Sequence, residues 1–90
     1  MYDLNWFKIS FSPKLIGFSI EYLSFENGDL GDLDEVRCES NRLGISISFW
    51  SSGYLGIFIY DYEKDLELLN IITDKKSERK DLFESIEKLL

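Results

Sequence analysis

The chain has 90 residues and a formal charge of -7, from 10 basic and 17 acidic groups, with no histidine. That length supports one domain (1–90) with a single core, and the 44% hydrophobic and 16% aromatic content argues for a packed globule rather than disorder. Residues 1–45 carry 4 basic and 8 acidic groups and residues 46–90 carry 6 and 9, so neither half is a basic patch. Such a field repels nucleic acid and anionic lipid and favours basic partners, while also keeping a small aromatic-rich protein soluble.

The first residues, up to Trp6, include Asp3 and no basic group, so they do not open a secretory signal. No apolar run approaches the roughly 20 residues needed to span a bilayer. Cys38 is the single cysteine, which precludes an internal disulfide. A cytoplasmic protein is therefore expected.

From Asp3 to Ser12 two patterns compete. Leu4, Phe7 and Phe11 fit a helical stripe with Asp3 as N-cap, whereas Phe7, Ile9 and Phe11 alternating with Lys8 and Ser10 fit a strand. Pro13 ends either one, because it disfavours helix for Ser12 and has no N–H to give a ladder. Leu15 to Phe25 reads as a strand, with Phe18, Ile20 and Tyr22 on one face. Leu23 and Phe25 fall on the other, where something is expected to cover them. Asn27 to Glu35 is rich in glycine and aspartate and reads as a loop. Acids beside glycines invite a calcium reading, but the ligand order of a helix-loop-helix calcium site is missing. An acidic, solvated turn with no metal is the expectation.

Glu35 to Ser40 reads as a strand. A tight turn at Asn41 and Arg42 would set Cys38 opposite Ile45 and Val36 opposite Ile47. The stretch from Leu43 to Tyr62 then carries its own hairpin. Trp50 and Tyr54 flank Ser51, Ser52 and Gly53, a three-residue loop whose last residue takes the left-handed conformation that glycine tolerates. Pairing Trp50 with Tyr54 sets Phe49 opposite Leu55, Ile47 opposite Ile57 and Ile45 opposite Ile59, all on one apolar face. The other face carries Gly44, Ser46, Ser48, Trp50, Tyr54, Gly56, Phe58 and Tyr60.

A further strand runs from Leu66 to Thr73. An even loop before it places Leu66, Leu68 and Ile72 in the core, and an odd loop places Leu69 and Ile71 there. In the tail Leu82, Phe83, Ile86, Leu89 and Leu90 make a helical stripe, with Ser77 as cap and Glu84 and Lys88 as an i,i+4 pair. Docked on the isoleucine face, this helix gives an α+β domain: an antiparallel meander of four to five strands with a helix on one face.

No catalytic group or cofactor site is evident. Histidine is missing, and there is no phosphate-binding glycine loop, paired-cysteine spacing or nucleophile elbow. Cys38 has no histidine to activate it and reads as a buried thiol. An enzyme is not expected.

The candidate site is the hairpin's second face. Trp50, Tyr54, Phe58 and Tyr60 stand there beside Glu35, Arg37 and Glu39, and Asp61, Glu63, Asp65 and Glu67 extend an acidic rim past the hairpin end. Rings set on a rigid sheet and edged by charge are what protein interfaces enrich. Alternatively, the N-terminal segment covers these rings as a second small core.

The run Ile45-Ser46-Ile47-Ser48-Phe49-Trp50-Ser51-Ser52-Gly53, followed by Ile57 to Asp61 and Leu68-Leu69-Asn70, resembles small immunity proteins of bacterial contact-dependent growth inhibition and polymorphic toxin systems, TriTu immunity proteins among them. The resemblance covers residues 43–90 and is anchored on Trp50, Gly53, Asp61 and the closing helix. It implies an N-terminal helix, a meander and a C-terminal helix. It also implies neutralisation of one cognate toxin domain by protein–protein contact, with no catalytic residues to carry over. A monomer in a one-to-one complex with a basic, nuclease-type toxin is the expectation. An acidic secretion chaperone or adaptor that binds a client segment by strand addition or along an apolar groove is the alternative.

Overall fold

Short connections join each strand to its neighbour, so the chain pairs in sequence order. In the computed structural model, which describes residues 2–90, β1 (Ser19–Gly28), β2 (Gly31–Glu39), β3 (Leu43–Trp50), β4 (Leu55–Asp61) and β5 (Leu66–Thr73) form one antiparallel meander ordered β1-β2-β3-β4-β5. The central register is the expected one: Phe49 faces Leu55, Ile47 faces Ile57, Ile45 faces Ile59, Cys38 faces Ile45 and Val36 faces Ile47. Gly53 closes the hairpin at φ +102°, and the Trp50 N–H donates to the Tyr54 carbonyl at 3.0 Å. Ser51 fastens this loop to the start of β2, accepting from the Asp32 N–H through Oγ at 2.9 Å and donating its own N–H to the Asp32 carbonyl at 2.8 Å.

The inner face is closed by both helical segments. Asp3 accepts from the Trp6 N–H at 2.9 Å and starts an α-turn, α1 (Leu4–Trp6), which resolves the helix-or-strand choice for this stretch in favour of helix. The turn then widens to π geometry over Phe7–Phe11, where the Ser12 N–H reaches the Phe7 carbonyl. In that pattern the Lys8 carbonyl would pair with the N–H of residue 13, and Pro13 has none. The Ser12 hydroxyl takes its place at 2.7 Å, and Pro13 itself lies in a 3-10 turn, Ser12–Lys14. Phe7, Phe11 and Leu15, four residues apart, all point into the core.

The C-terminal segment opens with a 3-10 turn, Lys76–Glu78, and continues as α2 (Arg79–Glu87). Phe83 and Ile86 are buried, and Leu82 and Leu89 pack beside them. Phe83 meets Phe11 edge to face at 5.3 Å and stacks on Phe49 at 6.4 Å, so the two helices and the sheet share one aromatic layer. Ser77 does not cap the helix. The Thr73 hydroxyl acts at the strand end instead, accepting from the Lys75 N–H at 3.1 Å and donating to Glu78 at 2.6 Å. Glu84 and Lys88 form no ion pair; Glu87 pairs across to Lys14 at 2.9 Å. At the far end the Arg42 guanidinium donates to the Leu89 carbonyl at 2.6 Å, a cation where the helix leaves carbonyls unpaired.

Two stretches have boundaries other than the sequence suggests, and a third strand keeps its boundaries but changes phase. β1 starts at Ser19, because Leu15 to Phe18 is a turn with Gly17 at φ +84°. Asn27 to Glu35 is mostly strand: β1 runs to Gly28 and β2 begins at Gly31, with only Asp29 and Leu30 between. The positive φ values flank this turn at Asn27 (+60°) and Gly31 (+92°). Glycine and aspartate that look like loop formers thus shape a bulge and a two-residue bend. β5 follows a four-residue loop, yet Leu69 faces Ile59 while Glu67 faces Tyr60. Leu68 is the extra residue of a bulge, so the inward set changes phase along the strand and Leu69 and Ile71 pack on the core while Ile72 is 58% exposed. Both edge strands carry a bulge, a device that discourages pairing with another sheet edge. Among the described residues no helix is long and apolar enough to cross a membrane.

Candidate binding face

Since the N-terminal helix joins α2 on the inner face, it leaves the aromatics of the hairpin's second face uncovered. Phe25 is uncovered too, at 47% exposure, and Leu23 is half-buried. Outer-face positions align in rows across the strands. At the hairpin end Phe25, Leu33 and Trp50 lie side by side, with Tyr54 beyond. Next come Leu23, Glu35, Ser48, Gly56 and Ile72, then Glu21, Arg37, Ser46, Phe58 and Asn70. The last row is Ser19, Glu39, Gly44, Tyr60 and Glu67. The face therefore has an apolar end, a polar middle and an aromatic corner ringed by acids.

Two glycines let rings lie flat on it. A Cβ at Gly56 would stand 3.0 Å from Trp50 Cζ3, so Trp50 rests across its neighbour strand. At Gly44 a Cβ would stand 2.9 Å from Tyr62 Cζ, so Tyr62 folds back from the β4–β5 loop over β3. In both places a ring covers backbone that has no side chain of its own.

The polar groups of the face are held in pairs. Arg37 Nε donates to Glu35 at 2.5 Å, and that bond raises the guanidinium pKa. Tyr62 Oη donates to Glu39 at 2.7 Å, and the Tyr60 hydroxyl donates to Asp65. The bond to a carboxylate is the main cause that raises each phenol's pKa, so both stay protonated.

The expected site residues do not all share this face. Glu35, Arg37, Glu39, Trp50, Tyr54, Phe58 and Tyr60 lie on it, with Phe58 38% exposed and Trp50, Tyr54 and Tyr60 half-buried. Glu67 sits at its margin opposite Tyr60 and accepts from the Asn70 amide at 3.3 Å. Glu63 is exposed in the β4–β5 loop, off the strands. Asp61 departs from the expected rim: it is 4% exposed, lies on the inner-face parity opposite Leu43, and accepts from the Glu63 and Lys64 N–H groups at 3.0 and 3.1 Å. Its carboxylate builds the turn and is spent there.

Sequence reasoning missed Tyr62, Leu33 and Ile72 on this face. Tyr62 leaves the strand before it folds back, so no parity rule places it. Leu33 falls in a stretch that reads as a loop, and Ile72 is outward in only one of the two loop parities the sequence leaves open. Arg79 was missed as well. It is buried, and its guanidinium donates to the Tyr2 carbonyl at 3.3 Å and the Gly53 carbonyl at 2.9 Å, tying N-terminus, hairpin and α2 together.

Among the described residues no group of three or more His, Cys, Asp or Glu is placed to hold a metal ion. Cys38 is fully buried, and burial pushes its thiol up to about 12, far from a nucleophile's range. Compared with protein-family models, with curated proteins and with solved structures, the chain matches none.

Proposed function

We propose that this chain is an immunity-type binding protein that neutralises a basic, nuclease-type bacterial toxin domain by covering it with the outer face of the sheet, as a monomer in a one-to-one complex. The observation that carries the proposal is the placement of both helices on one face. It leaves the other open, with Phe25, Phe58, Tyr62 and Ile72 each at least 38% exposed. Open aromatic area on a rigid sheet suits a protein interface, and a monomer seldom leaves it unused. The acids on and beside this face, Glu21, Glu35, Glu39, Glu63, Asp65 and Glu67, outnumber the bases Arg37 and Lys64 and add charge that speeds encounter with a basic partner. The resemblance of residues 43–90 to small immunity proteins points the same way. The proposal is of binding without catalysis, in the cytoplasm, where an incoming toxin acts.

One observation favours the adaptor alternative: Leu66, Leu68 and Ile72 are exposed along the free edge of β5, where a client strand could add. The bulge at Leu68 works against it.

Co-expression with a toxin domain from a neighbouring gene tests the proposal. A tight one-to-one complex and rescue of growth support it. No complex, or a dimer of this chain holding an unfolded client segment, overturns it.

A further inference from the structure

The aromatic corner of the outer face encloses a groove of about 200 Å³. Phe58, Tyr60 and Tyr62 form its wall, and Gly44 and Ser46 lie in its floor. Phe58 and Tyr60 are stacked at 6.4 Å and 19°, and Tyr62 leans on Tyr60 at 5.8 Å and 51°. Three aromatic rings thus line one space.

The carboxylates beside it are arranged as well. Glu39 holds the Tyr62 hydroxyl through one oxygen, and Asp65 holds the Tyr60 hydroxyl through one oxygen. The second oxygen of each carries no hydrogen bond among the described residues. A phenol that donates to a carboxylate also gains electron density in its ring, which strengthens attraction for a cation over the face. Arg37 also lines the groove, but its guanidinium is bound to Glu35 at 2.5 Å and its charge is balanced there.

We propose that this groove receives one arginine side chain of the basic partner, its guanidinium packed against the Tyr60 and Tyr62 rings and donating to the open oxygen of Glu39. The inference rests on the reading of the outer face as the binding surface. Arginine fits better than lysine because a planar, weakly hydrated guanidinium can lie against a ring face while one of its N–H groups reaches the carboxylate. A neutral or anionic group would lose the pull of Glu39 and Asp65.

The test is an amide NMR titration of the intact chain with N-acetyl-arginine amide, and with the neutral isostere N-acetyl-citrulline amide. The expected result is saturable movement of the Gly44, Ser46, Tyr60 and Tyr62 amides, with Kd on the order of millimolar for so small a probe. Citrulline should bind at least about tenfold more weakly. Glu39→Gln should lower arginine affinity several-fold, and Glu84→Gln on the opposite layer should not. Failure of these amides to move, or drift spread over every acidic residue without saturation, overturns the groove. If the probe fails while the toxin complex still forms, only the groove is lost. If the probe binds but no toxin complex forms, the groove stands and the immunity reading falls.

Discussion

Replacing Ile47 and Phe58 by alanine, one at a time, asks whether the two faces of the sheet differ in kind. Ile47 lies on β3 with no exposed area, and Phe58 lies on β4 one pair away with 38% exposed. Truncating a buried isoleucine removes transfer free energy and leaves a cavity, together about 2–5 kcal/mol. Unfolding entropy of about 2.1 cal/mol/K per residue gives roughly 190 cal/mol/K for a chain of this length. A loss of about 3 kcal/mol therefore lowers Tm by about 16 °C. Phe58 touches solvent on one side and leans on Tyr60 on the other, so its truncation should cost about 1 kcal/mol or less, near 5 °C. Thermal unfolding followed by circular dichroism measures both. Phe58→Ala should also lose partner capture. Equal stability losses would show that the outer rings are core, and a binding role for that face would fall with them.

Three further predictions follow from individual groups. Cys38 reacts only as thiolate, and burial moves it from 9.0 to about 12, so alkylation by iodoacetamide at pH 8 should be roughly a thousandfold slower in the native chain than in urea; equal rates would contradict the burial. The Asp3 carboxyl is held below its ordinary 3.8 chiefly by the Trp6 N–H. Its cap therefore acts fully above that value and is lost as pH falls through the lower folded value, so Asp3→Ala should flatten the acid limb of the stability curve, and an NMR titration at or above 3.8 would refute the cap. Arg79→Ala removes two charged donors from the Tyr2 and Gly53 carbonyls and should cost about 2–3 kcal/mol in urea unfolding, whereas a neutral change would show that the clasp holds nothing.

The parts of the fold that were legible are those where a short turn and a strict alternation agree. From Val36 to Ile59 every inward residue is apolar, and a slip of one position would bury serines, so only one register survives. The tail helix was legible for the same reason, its stripe repeating at helical spacing. What was not legible depends on single residues that break a period. β5 follows an even loop, yet the Leu68 bulge reverses its phase and gives the Leu69 and Ile71 facing expected of an odd one, so loop length alone could not choose between the two. At the other edge, Asn27 and Gly31 at positive φ turn an apparent loop into a hairpin. On the candidate face, Trp50, Tyr54, Phe58 and Tyr60 followed from parity, while Tyr62 depends on the space left by Gly44 and Asp61 was claimed by its own turn. The side on which the N-terminal helix docks is a tertiary choice that local pattern cannot express.

The chain's two tryptophans report on opposite sides of the molecule: Trp6 packs with Phe11 and Phe83 in the helical layer, and Trp50 lies on the outer face across Gly56. With 5-fluorotryptophan at both positions, titration with the proposed toxin partner should shift the fluorine signal of Trp50 and leave that of Trp6 in place. Movement of Trp6 with Trp50 unchanged would put the partner on the helices and contradict the account.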